Sequence, residues 1–77
     1  MTPVEALQCV VEAFGGQSAL AKAISKRTGR NIKQQHVWNW LNRDGGLPPA
    51  YAPLIESLCR ERNLHITCSH LCPAFYL

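Results

Sequence analysis

The chain has 77 residues, carries eight Lys and Arg residues against five Asp and Glu residues, and has a formal net charge of +3. A chain of this length builds one small hydrophobic core, which leaves no room for an additional catalytic domain. It contains neither a long apolar run nor a signal-peptide pattern, so we expect a protein of the cytoplasm without a membrane partner.

The first predicted helix begins at Thr2 and ends at Gly15-Gly16. Threonine caps helix N-termini, and Pro3 suits the first helical position because its nitrogen has no hydrogen to donate there. A glycine pair is typical of a helix end. Helical spacing predicts a core face formed by Val4, Leu7, Val11 and Phe14, with Cys9 or Val10 at its edge.

The second predicted helix starts at Gln17 or Ser18, and two positions for its end remain open. Its core face consists of Ala19, Leu20, Ala23 and Ile24. If the helix ends after Ile24, residues Ser25 to Asn31 form a connection longer than the tight turn of the commonest helix-turn-helix. Alternatively the helix continues to Gly29, which is free to adopt the left-handed conformation of a C-cap.

A third predicted helix follows Ile32 and ends at Asp44-Gly45-Gly46. Val37, Trp40 and Leu41 repeat the helical spacing and are assigned to the core. The remaining surface is rich in amides and lacks acidic groups, which suits base edges: amides pair with adenine, and an aromatic ring contacts the thymine methyl group. The alternative is an ordinary solvated face. The candidate base-contacting residues are Gln34, Gln35, Trp38, Asn39 and Asn42.

Basic residues are concentrated around this pair of helices. Residues 15–43 contain six Lys and Arg residues and no Asp or Glu, whereas the rest of the chain is net acidic. Such a patch neutralises phosphates and supplies much of a protein's non-specific affinity for nucleic acid; the alternative is a solubilising surface. The candidate phosphate-contacting residues in this patch are Lys22, Lys26, Arg27, Arg30, Lys33 and Arg43.

The C-terminal half predicts a fourth helix and a single helical turn. The fourth helix has Pro53 in its first turn and ends near Asn63, and Thr67 caps the short turn before Pro73. Its apolar face is Tyr51, Leu54, Ile55 and Leu58. We therefore predict an all-α fold of four to five helices in one domain, residues 1–77, with a helical core in 1–66 and a short turn and apolar tail in 67–77.

The apolar tail has two interpretations. It either joins two copies of the chain or folds back onto the first and fourth helices. Its apolar residues are Leu71, Phe75, Tyr76 and Leu77.

The cysteines and histidines do not predict a catalytic or metal site. His65, Cys68, His70 and Cys72 crowd into eight residues, whereas structural zinc sites place paired ligands in two separate loops. No acidic orienting group or oxyanion-hole motif accompanies a Cys-His pair, so we expect no enzyme activity. Nothing marks secretion, so the thiols, including Cys9 and Cys59, are expected to be reduced, and no cofactor is expected.

The chain resembles the YdaS/Cro-type regulators of prophages from about Phe14 to Pro73. The residues that carry the resemblance are Gly15-Gly16-Gln17, Ala19-Leu20-Ala21, Gln34-Gln35, Val37, Trp40-Leu41, Leu47-Pro48, Ile66-Thr67, Leu71 and Pro73. Cys68 and Cys72 depart from the pattern, because relatives often have arginine there.

This resemblance implies a Cro-like or phage-repressor-like helix-turn-helix domain that binds double-stranded operator DNA. It also implies that Gln17 contacts a phosphate and steadies the recognition helix, and that Gln34 and Gln35 are the leading base readers. A single recognition helix reads only a few base pairs, so we expect a homodimer on a palindromic operator. The alternative function is that of an antitoxin that neutralises a toxin partner by direct protein contact.

Overall fold

The computed structural model describes residues 1–43 and 45–76, and Asp44 and Leu77 lie outside the described residues. Within that part of the chain the structure is all-helical and contains no strand, which confirms the predicted fold class. The five α-helices are α1 (Pro3–Phe14), α2 (Gln17–Thr28), α3 (Gln34–Asn42), α4 (Ala52–Glu61) and α5 (Cys68–Leu71), with a 3-10 turn at Pro49–Tyr51.

The N-terminal cap of α1 forms as predicted. The Thr2 hydroxyl accepts a hydrogen bond from the Glu5 amide at 3.1 Å, and the Glu5 carboxylate accepts one from the Thr2 amide at 2.7 Å. Gly15 ends the helix with a φ of 95°, in the left-handed region that suits glycine. The reciprocal contacts fix where α1 begins, because they satisfy backbone groups that have no partner within the helix, and Gly15 fixes where it ends.

The buried face of α1 differs from the predicted one. Val4 is 49% exposed, whereas Ala6 and Val10 are fully buried beside Leu7. Val4 belongs to the first turn, where neighbouring elements cover less of the helix. The middle of α1 packs against α2, α3 and α5. Because three helices cover it, a larger part of its circumference is buried than the single apolar face that the spacing predicted.

Helix α2 continues to Thr28, as in the longer of the two sequence-based alternatives. The connection to α3 is therefore residues 29–33 rather than Ser25 to Asn31. Gly29 caps the helix with a φ of 73°. The Ser25 hydroxyl accepts a hydrogen bond from the Ile32 amide and donates one to the Ile32 carbonyl, at 2.8 and 2.9 Å. These two bonds hold the connection against the last turns of α2. Lys26 and Arg27 lie within α2 instead of in a loop.

The core joins all five helices. Trp40 of α3 is buried, and the centroid of its ring lies 5.4 Å from that of Tyr51, just before α4. Leu71 of α5 is buried as well. The tail folds back in part: the Tyr76 hydroxyl donates a hydrogen bond to the Pro49 carbonyl at 3.0 Å, whereas Phe75 remains 70% exposed. The interpretation that the tail folds back therefore holds for Tyr76, which contacts the segment before α4, and the interpretation that the tail joins two copies stays a prediction.

Candidate nucleic-acid interface

Two glutamines join the N-termini of α2 and α3. Gln17 is the first residue of α2 and Gln34 is the first residue of α3. The Gln34 side-chain amide donates a hydrogen bond to the side-chain oxygen of Gln17. The bond orients both side chains and fixes the start of α3 relative to α2. Because helix N-termini carry unpaired amides and partial positive charge, the paired glutamines lie where an anion would be favoured.

The exposed face of α3 carries the five predicted base-contacting residues. Gln34, Gln35, Trp38 and Asn42 are exposed, and Asn39 is half-buried. The Gln35 side-chain amide donates to the side-chain oxygen of Asn39 at 3.1 Å, and the Asn42 amide donates to the Trp38 carbonyl at 2.9 Å. The structure therefore brings these side chains onto one surface and holds the amides of Gln35, Asn39 and Asn42 in defined positions.

The buried face of α3 anchors this surface to the core. Val37 is fully buried and Trp40 is 8% exposed, while Trp38 is 40% exposed. The two tryptophans, two residues apart, lie on different sides of the helix. This confirms the predicted division of α3 into a core face and a solvent face.

All six predicted basic phosphate-contacting side chains are exposed, and Gln17 is half-buried. The six are Lys22, Lys26, Arg27, Arg30, Lys33 and Arg43. No Asp or Glu lies in residues 15–43, so the sequence of α2 and α3 contributes only positive formal charge. A surface of this charge concentrates polyanions through long-range attraction that added salt weakens.

Arg27 has protein partners in α4 that the sequence did not reveal. Its guanidinium group forms an ion pair and hydrogen bond with the Glu61 carboxylate, and lies 3.5 Å from the Ser57 hydroxyl. Arg30 makes a 3.5 Å contact with the Tyr51 hydroxyl. A phosphate contact by Arg27 stays a prediction, and Glu61 would compete with the phosphate for the donors of its guanidinium group.

His36 is a further exposed residue of α3 that the sequence analysis did not select. Its Nδ1 accepts a hydrogen bond from the Lys33 backbone amide at 2.9 Å. When Nδ1 is the acceptor of a neutral imidazole, the proton resides on Nε2. His36 thus adds a potential donor to the first turn of α3. His36 follows Lys33 at the spacing of a capping box, but a lysine side chain cannot accept the reciprocal hydrogen bond, so the sequence carried no capping-box motif here.

Two of the C-terminal cysteines and histidines contact backbone groups. His70 Nδ1 accepts a hydrogen bond from the Thr67 amide at 3.0 Å, and the Cys72 thiol lies 3.5 Å from the Leu47 carbonyl. Burial raises the pKa of Cys68 and of Cys72, and it raises the pKa of Cys59 to about 11. Among residues 1–43 and 45–76, no three His, Cys, Asp or Glu side chains gather as a metal-binding group.

None of the helices in the described part of the chain is both long and apolar enough to span a bilayer.

Comparison with known proteins identifies the family. Searches among curated proteins and among solved structures gave no match to the chain. A family model described as bacterial toxin YdaS matches residues 7–76. The match covers nearly the whole chain, including the paired N-termini of α2 and α3, the exposed face of α3 and the C-terminal turn. The chain belongs to the bacterial toxin YdaS family.

Proposed function

We propose that this chain is a sequence-specific DNA-binding transcriptional regulator, a Cro-like repressor of a prophage or toxin-antitoxin operon. The observation that carries this proposal is the exposed face of α3, which presents amides and Trp38 on a helix anchored by Val37 and Trp40. Amides and an aromatic ring match the donors, acceptors and methyl groups of the major groove. The function requires no enzyme activity, and its setting is the cytoplasm.

In this proposal the paired glutamines set the register of α3 on the DNA. Gln17 binds a phosphate at the N-terminus of α2 while its partner Gln34 lies at the edge of the groove. Lys22, Lys26 and Lys33 are exposed and contribute to the affinity for phosphates without selecting a sequence. Gln35 and Asn39, joined side chain to side chain, read bases as a pair.

A protein that reads a few base pairs with one helix gains specificity by binding as a dimer. We therefore infer a symmetric homodimer on a palindromic operator, with half-sites about one helical turn apart. Protein and operator symmetry would then match, and each protomer would present the same α3 face.

The test is a footprint on the DNA upstream of the protein's own coding region, followed by binding measurements on single-base variants of the protected site. Gln35→Ala should lose about 1–3 kcal/mol at one operator position and relax the preference there. Lys26→Ala should weaken all sequences alike and lower the salt dependence of binding. If both variants lose affinity equally on every sequence, α3 does not read bases through Gln35.

The family is described as a bacterial toxin, so a second experiment measures the effect of the protein on the growth of cells. Expression of the wild-type protein and of a variant without DNA affinity separates effects on growth that require DNA from effects through a protein partner. If the wild-type protein inhibits growth and the variant without DNA affinity does not, the effect acts through DNA. If the variant without DNA affinity still inhibits growth, or still neutralises a partner toxin, the protein acts by direct protein contact and not by DNA binding.

A further inference from the structure

The first turn of α3 places three consecutive polar residues on three different sides of the helix. Successive residues of an α-helix are about 100° apart, so Gln34 and His36 are separated by about 200°, with Gln35 between them. Gln34 is bonded to Gln17 and therefore marks the side of α3 that faces α2. His36 lies on the opposite side, away from α2. We call these two sides of α3 the glutamine flank and the histidine flank.

The imidazole ring of His36 presents one oriented hydrogen-bond donor. Its Nδ1 accepts a hydrogen bond from the Lys33 amide at 2.9 Å, so the proton of the neutral ring resides on Nε2. This bond fixes the ring, and Nε2 is the ring nitrogen farther from the main chain. His36 is exposed, and within residues 1–43 and 45–76 its hydrogen bonding is confined to Nδ1. The Nε2–H group is therefore available to an acceptor from outside the described part of the chain.

A helix that lies in the major groove of DNA has one strand beside each flank. The helix with its side chains is about 10–12 Å across, and the groove is about 12 Å wide. A donor on either flank therefore reaches phosphate oxygens of the strand next to it, whereas residues between the flanks face the base edges. In the proposed function, Gln17 and the glutamine flank meet the phosphates of the first strand. The histidine flank then faces the second strand.

We propose that the Nε2–H group of His36 donates a hydrogen bond to a phosphate oxygen of the DNA strand opposite the one that Gln17 contacts. This inference rests on the proposed function, in which α3 enters the major groove, and it adds a contact on the second strand. With a phosphate bound on each flank, rotation of α3 about its axis would break one of the two contacts. His36 is thus a positioning residue, which keeps Gln35 directed at the bases.

The charges along the histidine flank favour a phosphate there. Lys33, whose amide binds the ring, precedes α3, and Arg43 follows it; both side chains are exposed. Arg43 comes seven positions after His36, a distance of about two helical turns. No Asp or Glu lies in residues 15–43. The two cations attract a phosphate without fixing its direction, and the imidazole adds a directional hydrogen bond.

Two substitutions separate the donor of His36 from its contact with the backbone. His36→Asn keeps a side-chain oxygen in place of Nδ1, which can accept from the Lys33 amide, but it has no donor as far from the main chain as Nε2. His36→Gln is the matched control. Glutamine is a capping-box residue at this third helical position, and its side-chain amide extends as far as Nε2. Thermal melts followed by helical circular dichroism show whether both variants keep the fold.

The first measurement is the affinity of each variant for the duplex protected in the footprint and for an unrelated duplex of the same length. His36→Asn should bind both duplexes about three- to tenfold more weakly than the wild type, because one hydrogen bond to a phosphate is lost. His36→Gln should stay within about twofold of the wild type. Since a neutral imidazole neutralises no phosphate charge, His36→Asn should leave the salt dependence of binding at pH 8 unchanged, unlike Lys26→Ala.

The second measurement locates the contact on the DNA. Each phosphate of the protected duplex is replaced in turn by an uncharged methylphosphonate. Replacement of the phosphate that His36 contacts should weaken the wild type more than it weakens His36→Asn. The same scan with Gln17→Ala identifies the phosphate that Gln17 contacts. The two phosphates should lie on opposite strands.

Three results would overturn this inference alone. They are an unchanged affinity of His36→Asn for both duplexes, a loss confined to one base pair of the site, and a His36 phosphate on the same strand as that of Gln17. If His36→Asn melts at a lower temperature, the methylphosphonate scan still decides, because partial unfolding weakens binding to every modified duplex alike. A wild-type chain without affinity for either duplex overturns the proposed function and this inference with it.

Discussion

Replacing each tryptophan of α3 by alanine separates the core face of that helix from its solvent face. Trp40 is 8% exposed and its ring centroid lies 5.4 Å from that of Tyr51, while Trp38 is 40% exposed. Trp40→Ala should therefore destabilise the fold. Trp38→Ala should leave stability nearly unchanged and reduce DNA affinity.

The surroundings of Trp40 set the size of the effect. Truncating a buried tryptophan costs about 3–5 kcal/mol, and the cost is largest where a closed cavity remains. Trp40 also lines an open apolar groove between the start of α1, the end of α3 and the C-terminal tail, so solvent reaches part of the space that its ring vacates. We therefore expect about 3 kcal/mol, which lowers the melting temperature of a domain of this size by roughly 12–24 °C. Trp38→Ala should change stability by no more than about 0.5 kcal/mol.

Urea unfolding and thermal melts followed by helical circular dichroism measure both variants. Trp40→Phe is the matched control: it keeps an aromatic ring beside Tyr51 and should recover most of the lost stability. If Trp38→Ala destabilised the protein more than Trp40→Ala, α3 would be rotated relative to the core and the proposed DNA-contacting face would be wrong.

Three further predictions follow from local features. Gly29→Ala forces alanine to a φ of 73° and should lower stability by about 1–2 kcal/mol in urea unfolding; unchanged stability would contradict the left-handed cap. Glu5 has a lowered pKa in the folded chain, so its contribution is present above its ordinary pKa of 4.5 and is lost as the pH falls through the folded value. Melting temperature should drop more steeply in acid for the wild type than for Glu5→Gln, and equal slopes would exclude this role. Cys59 is fully buried, and burial raises its pKa to about 11, so iodoacetamide at pH 8 should label it only after unfolding. If Cys59 in the native protein reacted as fast as Cys9, its burial would be refuted.

Local signals in the sequence determined most of the helical framework. Thr2 and Pro3 begin α1, Gly15 and Gly29 end α1 and α2, and Thr67 begins α5, because caps and left-handed glycines act within a few residues of the helix end. The division of α3 into core and solvent faces also follows from spacing alone, since its buried and amide residues occupy different sides of one helix. The family resemblance was readable from the same residues.

The tertiary structure decided what depends on contacts between distant segments. Val4 and Val10 are both apolar residues of α1, and only the packing of α2, α3 and α5 determines that Val10 is buried and Val4 exposed. Arg27 and Glu61 are 34 positions apart, so their pairing needs α2 and α4 side by side. In the tail, the Tyr76 hydroxyl donates a hydrogen bond to the Pro49 carbonyl, while Phe75 is exposed to solvent. Periodicity specifies which side chains share a face, but the elements that cover that face come from elsewhere in the chain.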